Sequence, residues 1–191
     1  MLTIAWDVDD VLNDLMRSWF SEAWLPAHPA CALRYEELRA NPPAALLGVS
    51  GEEYLDSLDR FREARYAELA PLPEAEAWFE RNGDRYRHIA LTGVPLAAAP
   101  LSAAWVMRHF GRWMRSFHFV PSPRAGQAIP AYDASKRDFL RWWGKADALV
   151  DDSPANVDAA REAGVRALLM PRPWNGAGGT PADFFRQLET L

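Results

Sequence analysis

The sequence predicts an α/β fold, a doubly wound parallel sheet with a small helical insertion, on three observations. Short apolar runs alternate with amphipathic helical stretches over most of the chain, which is the pattern of a parallel sheet with crossover helices. Two of those runs, Leu2–Trp6 and Ala148–Val150, end abruptly in acidic residues. Open α/β sheets place their ligands at such carboxyl ends of strands. One stretch, from about Leu15 to about Ala70, interrupts the alternation and holds no convincing strand.

The elements follow in order. Leu2–Trp6 is short, apolar and partly β-branched, as a buried strand requires. Pro26, Pro29, Pro42, Pro43 and Gly48 then punctuate the chain. Glu52–Leu69 reads as a helix, with Tyr54, Leu55, Leu58, Phe61, Ala64 and Arg65 at roughly helical spacing. Pro71-Leu72-Pro73 marks the return to the alternating pattern. Helix Glu74–Arg81 leads into strand His88–Leu91, and helix Ala98–Phe110 into strand Ser116–Val120. The loop Pro121–Ala134 and helix Lys136–Trp143 lead into strand Ala148–Val150, and helix Ser153–Ala163 into strand Ala167–Met170. Asn175–Pro181 is a loop, and a last helix starts from Pro181. Right-handed crossovers put helices on both faces of the sheet. Residues 1–14 and 71–191 are thus expected to form the core, with 15–70 as a helical insertion.

Composition narrows the class. A chain of 191 residues accommodates one large domain or a core with an insertion. It is 49% apolar and 25% charged, as ordinary globular proteins are. A net charge of -5 argues against a general binder of nucleic-acid polymers or anionic membranes. No apolar stretch is long enough to span a bilayer. Cys31 is the only cysteine, so no intrachain disulfide forms, and no basic segment precedes a long apolar one at the amino terminus. A cytoplasmic location is the expectation; the oligomeric state is left open.

The chemistry is concentrated at the strand ends. Asp7, Asp9, Asp10 and Asp14 fall within eight residues, and a fold that gathers them needs a compensating cation. A carboxylate can attack phosphorus and form an aspartyl-phosphate, and magnesium offsets its repulsion with an anionic substrate. Taken alone, Asp7-Val8-Asp9 equally describes an acidic turn in which Asp10 or Asn13 caps a helix. Asp151-Asp152-Ser153-Pro154 is likewise a good helix entrance. If the two strands are neighbours, however, their acids converge on one crevice and supply the hard oxygen ligands magnesium prefers. Thr92 and Gly93 offer a hydroxyl and a backbone N–H to phosphate oxygens, and Lys136 a compact positive charge.

In combination these motifs resemble the haloacid dehalogenase-like superfamily of phosphohydrolases. Asp7-Val8-Asp9-Asp10-Val11 resembles its first motif, Thr92 its second, Lys136 its third and Asp151-Asp152 its fourth. The resemblance covers residues 1 to about 14 and about 72 to 175, and the segment between would be the cap that many members insert. It implies a Rossmannoid core and a magnesium-dependent phosphoric monoester hydrolase acting on a small phosphorylated metabolite. Asp7 would be the nucleophile, and Asp9 would protonate the leaving oxygen and then activate water. Thr92 and the Gly93 amide would bind phosphoryl oxygens, and Lys136 would neutralise charge. Asp7, Asp152 and the Asp9 carbonyl would hold Mg2+, with Asp151 acting through a water. Asp10 replaces a glycine frequent at that position. Asp151–Asn156 and Pro171–Asn175 are more particularly similar to the 5′(3′)-deoxyribonucleotidase group, which implies a (deoxy)nucleoside monophosphate as substrate.

Specificity is expected in the insertion. Trp19, Phe20, Trp24, Tyr35 and Arg39 either form a pocket wall or pack the insertion itself. The competing readings are a phosphotransferase or another hydrolase on the same scaffold, and a non-catalytic phosphate- or metal-binding protein.

Overall fold

The computed structural model describes residues 1–130 and 132–190. Ala131, within the loop expected over Pro121–Ala134, and Leu191, the last residue of the expected core, lie outside the described residues. The strands β1 (Thr3–Trp6), β2 (Arg87–Val94), β3 (Met114–Pro121), β4 (Ala148–Asp151) and β5 (Arg166–Leu169) form one sheet in the order β3-β2-β1-β4-β5. Every pairing is parallel. The strand order reverses at β1, so the carboxyl ends of β1 and β4 flank the crevice where such sheets bind ligands.

The β1 side chains alternate between two apolar layers. Ile4 and Trp6 enter the larger one, and Ala5 enters the other with Ile89, Leu91 and Leu149. Trp6 anchors its layer, with ring centroids 5.2 Å from Trp78 and 5.0 Å from Phe79. Its indole N–H donates to His88 Nδ1 at 2.9 Å, so the polar edge of the ring is satisfied within the core.

The segment between β1 and β2 is helical. It comprises α1 (Leu15–Trp19), a π-helical turn (Phe20–Trp24), α2 (Leu25–Ala27), α3 (Ala44–Leu47), α4 (Gly51–Arg65) and α5 (Pro73–Asn82). Its apolar residues join those of the sheet in one cluster, which includes Trp6, Leu12, Trp19, Leu58 and Phe61. Beyond it lie α6 (Ala99–Phe110), α7 (Lys136–Trp143), α8 (Pro154–Glu162) and α9 (Pro181–Gln187). Local chemistry sets the helix starts. Ser50, Ser135 and Ser153 cap α4, α7 and α8 by accepting from the backbone N–H three residues on. Proline opens α5, α8 and α9, where no N–H is needed.

Two sequence expectations need correction. Strand β2 runs to Val94 rather than stopping at Leu91, because Thr92–Val94 pair with Phe119–Pro121 of β3. The Thr-Gly pair that reads as a turn therefore lies within a strand. Helix α4 ends at Arg65, and a 3₁₀ turn, Tyr66–Glu68, follows. Its buried face is Tyr54, Leu58, Phe61 and Arg62. Ala64 is exposed, and the exposed Arg65 pairs with Glu22 and Glu68.

Candidate active site

A pocket of about 370 Å³ opens between the strand ends and the inserted helices. Asp7, Asp9, Thr92, Gly93, Lys136 and Asp152 line it. Six of the seven residues expected at the site are thus brought together, from four separate parts of the chain. Asp151, the seventh, is fully buried beside them.

The first acid is fixed by the continuing sheet. The Asp7 N–H donates to the carbonyl of Val150 at 2.9 Å, extending the β1–β4 ladder one residue past β1. After it the chain turns sharply around the Val8 carbonyl, which accepts from the N–H groups of Val11, Leu12 and Asn13. Asp10 sits in this turn with a φ of 60°. That left-handed conformation favours glycine but is tolerated by Asp and Asn. Its carboxylate accepts from the Met16 N–H at 3.0 Å, and its own N–H donates to Asn13 Oδ1 at 3.2 Å. Arg172 clamps the turn from outside by donating to the carbonyls of Asp10 at 2.6 Å and Asn13 at 3.3 Å, and to the Asp14 carboxylate at 3.1 Å.

The β4 side supplies the counterpart. Lys136 opens α7, and its ammonium lies 2.8 Å from Asp7 Oδ2 and 2.7 Å from Asp151 Oδ2. Burial alone would strip its charge, but Asp151 and Asp7 outweigh that and hold the ammonium well above its ordinary range. Both Asp151 oxygens are committed, because the Ser153 N–H donates to Oδ1 at 2.9 Å and the Asn156 amide donates to both. Asp152 Oδ2 accepts from the Trp174 indole N–H at 2.8 Å. Burial pushes the Asp152 carboxyl up to about 6, reinforced by the Asp151 charge. Burial likewise pushes Asp7 up to about 8; Asp151 and Asp152 repel its charge, and Lys136 only partly compensates.

This donor set fits a hard dication. Carboxylate oxygens of Asp7, Asp151 and Asp152 lie within 4.8 Å of one another. Among the described residues the Lys136 ammonium is the cation in ion-pair contact with this cluster, bonded to Asp7 and Asp151, so the three acids are short of positive charge. Asp7 and Asp152 also line the pocket, so an ion held by them would be reachable by further oxygen ligands. The Thr92 hydroxyl is fully buried, has no hydrogen-bond partner and belongs to a residue lining the same pocket. Such a group invites a ligand oxygen.

Asp9 faces the inserted segment instead. Its Oδ2 accepts from Arg62 Nη2 at 3.1 Å, and its Oδ1 accepts from the Tyr66 hydroxyl at 2.5 Å and the Asn13 amide at 3.3 Å. Arg62 and Tyr66 escaped the sequence reading. The spacing Tyr54, Leu58, Arg62, Tyr66 was the available signal, since it places an arginine in an apolar stripe. Trp174 and Arg172 have no periodic signature; the Pro171–Asn175 motif marks their segment but not their contacts with Asp152 and Asp14. The aromatic residues considered for a pocket wall prove to be packing. Trp19, Phe20, Trp24 and Tyr35 are buried, and Arg39 is exposed. The wall from this segment is built instead from Leu15, Met16, Asn41, Pro42, Tyr54, Leu55, Leu58 and Arg62.

No protein-family model matches the sequence, and no curated protein does. Solved structures share its architecture. A haloacid dehalogenase-like family protein from Streptococcus pneumoniae aligns with a TM-score of 0.64 at 14% identity, covering 97% of this chain and 90% of that one. CbbY from Rhodobacter sphaeroides, in complex with phosphate, aligns with a TM-score of 0.55 at 21% identity, covering 98% and 96%. A subfamily IA hydrolase of the same superfamily from Geobacter sulfurreducens gives 0.55 at 15% identity, with coverage of 98% and 96%. The chain therefore has the fold of haloacid dehalogenase-like hydrolases, over nearly its whole length.

Proposed function

We propose that the protein is a magnesium-dependent phosphohydrolase that cleaves a small phosphate monoester through an aspartyl-phosphate on Asp7. The observation that carries this reading is the convergence, in one pocket, of Asp7 on Lys136, the Asp152 carboxylate and the unpartnered Thr92 hydroxyl. Asp7 and Asp152, with the Asp9 carbonyl, would hold the ion. When bound it would supply positive charge to the nucleophile and the phosphoryl oxygens.

The residues divide the work. An Asp7 oxygen attacks phosphorus as the ester P–O bond breaks, and Asp9, a carboxylate in the resting site that takes up a proton as the substrate binds, gives that proton to the departing alkoxide. Asp9 then takes a proton from water as that water attacks the phosphorus of the aspartyl-phosphate, which frees Asp7 and inorganic phosphate. Lys136 keeps Asp7 oriented and offsets charge at its oxygen. Thr92 and the Gly93 amide hold phosphoryl oxygens, and Asp151 orients Lys136. Residues 15–70 act as the cap that closes the leaving-group side, in a cytoplasmic enzyme.

A (deoxy)nucleoside monophosphate is the substrate proposed from the Asp151–Asn156 and Pro171–Asn175 motifs. Phosphate release from a panel of metabolites, with and without magnesium, tests both levels. The panel includes deoxyribonucleoside 5′- and 3′-monophosphates and sugar phosphates. Magnesium-dependent release is the expected result. A preference for sugar phosphates would refute the nucleotide assignment, and no release from any ester would refute the enzyme.

A further inference from the structure

We propose that the pocket selects phosphate esters of uncharged alcohols, and that Asp59 sets this selectivity. The inference rests on the phosphohydrolase reading for which end of the ligand lies at Asp7.

On the side of the inserted helices the pocket carries two cations, Arg62 from α4 and Arg124 from the chain after β3. Arginines in a pocket ordinarily argue for a second anionic group on the ligand. Here both are already neutralised. Asp59, one turn before Arg62 on α4, accepts from Arg124 Nε at 2.5 Å and Nη2 at 2.9 Å, and from Arg62 Nη1 at 3.1 Å. Asp9 takes Arg62 Nη2. In the resting site two guanidinium groups thus face two carboxylates, and the set has no net charge.

All but one of the guanidinium nitrogens are also committed. Arg124 Nη1 donates to Ser122 Oγ at 2.9 Å and to the Pro123 carbonyl at 3.0 Å, so each of its nitrogens has a partner. Arg62 Nε is buried without one. On the same side the wall continues with Leu15, Met16, Tyr54, Leu55 and Leu58, together with Asn41 and Pro42, and carries no further charge. A leaving group bearing a carboxylate or a second phosphate would meet Asp9 and two arginines whose charge Asp9 and Asp59 already offset, a like-charge mismatch that discriminates by repulsion. A neutral, partly apolar alcohol keeps the arginine–carboxylate set intact, and one acceptor atom on it can take the Arg62 Nε–H. Asp59 is therefore the charge that turns a basic wall into a neutral one.

Calorimetric binding of two isosteric esters, 4-carbamoylbenzyl phosphate and 4-carboxybenzyl phosphate, tests this. The host is the Asp7→Asn protein in magnesium, which binds without turning over. The amide should bind at least about tenfold more tightly than the carboxylate. Adding Asp59→Asn should narrow that gap about tenfold or reverse it, because Arg124 then lacks its carboxylate. Equal affinities in Asp7→Asn, binding of neither ester, or a gap unchanged in a folded Asp7→Asn, Asp59→Asn protein would overturn the inference. The Asp7→Asn comparison decides the selectivity even where the double variant does not fold, and Asp59→Glu in the same host, which keeps the charge, should then retain the gap; a gap lost in a folded Asp59→Glu protein would overturn the role of the Asp59 charge. Wild-type turnover of the two esters is read separately. Selective binding without turnover would count against the phosphatase and leave the selectivity standing.

Discussion

The guanidinium of Arg62 lies 3.1 Å from the carboxylate of Asp9, so a helix of the inserted segment grips the acid that follows β1. Both side chains are largely buried, at 8% and 12% exposure. Removing one partner of such a pair leaves a buried charge uncompensated, at a cost of about 3–5 kcal/mol. Arg62→Met should lower unfolding free energy by that order in urea titrations, and turnover should fall with it. An unchanged urea midpoint would show that the pair does not hold the segment in place.

Thr92→Val separates binding from folding. The buried hydroxyl has no partner within the protein, so replacing it with a methyl group should leave stability unchanged or raise it by about 1 kcal/mol. KM should rise, because a phosphoryl oxygen loses a donor. Loss of stability with unaltered KM would place the Thr92 hydroxyl in a structural role.

Trp174 acts through Asp152. Its indole N–H holds Asp152 Oδ2 at 2.8 Å, and ligand-orienting partners of this kind are worth about 10–100-fold in metal affinity. Trp174→Phe keeps the ring and removes the donor. Magnesium affinity measured by calorimetry should weaken within that range, and an unaltered affinity would exclude the orienting role.

The acid cluster makes the metal-free protein pH-sensitive. Asp7 and Asp152 are raised from 3.8 to about 8 and about 6 by burial and by neighbouring acids. Between those values the folded state binds protons that the unfolded chain has released, so stability falls as pH rises. The contribution of these two groups is fully present below about pH 4 and is lost by about pH 8. Melting temperatures in chelator should decline across this window, and the gain on adding magnesium should be larger at pH 8 than at pH 5. A melting temperature independent of pH, with an equal magnesium gain at both values, would contradict the charge imbalance.

The sheet was legible because its inner strands β1 and β4 are buried throughout and read as apolar runs punctuated by acids and caps. Lys136–Trp143 was readable to the residue, since Ser135 and Gly144 bracket it with capping chemistry. The convergence of Asp7 and Asp152 followed from β1 and β4 being neighbours. The pocket wall was not legible. Long-range packing alone decides that Trp19 faces the core while Leu55 faces the cavity. Arg62 was obscured for a related reason: helical periodicity flags apolar residues, and a buried arginine needs its partner, Asp9, 53 positions away, to be recognised. Asp10 is a case where local chemistry tolerates a departure, because aspartate reaches the left-handed φ that the turn requires.

The central claim is that Asp7 carries the phosphoryl group during turnover, and acid quench of the reacting enzyme with magnesium tests it most directly. Mass spectrometry of the peptide spanning Asp7 should show a phosphoryl adduct on that residue, absent without magnesium and absent from Asp7→Asn, which should be inactive while remaining folded. Magnesium-dependent turnover retained by Asp7→Asn, or an adduct found on another residue, would contradict it.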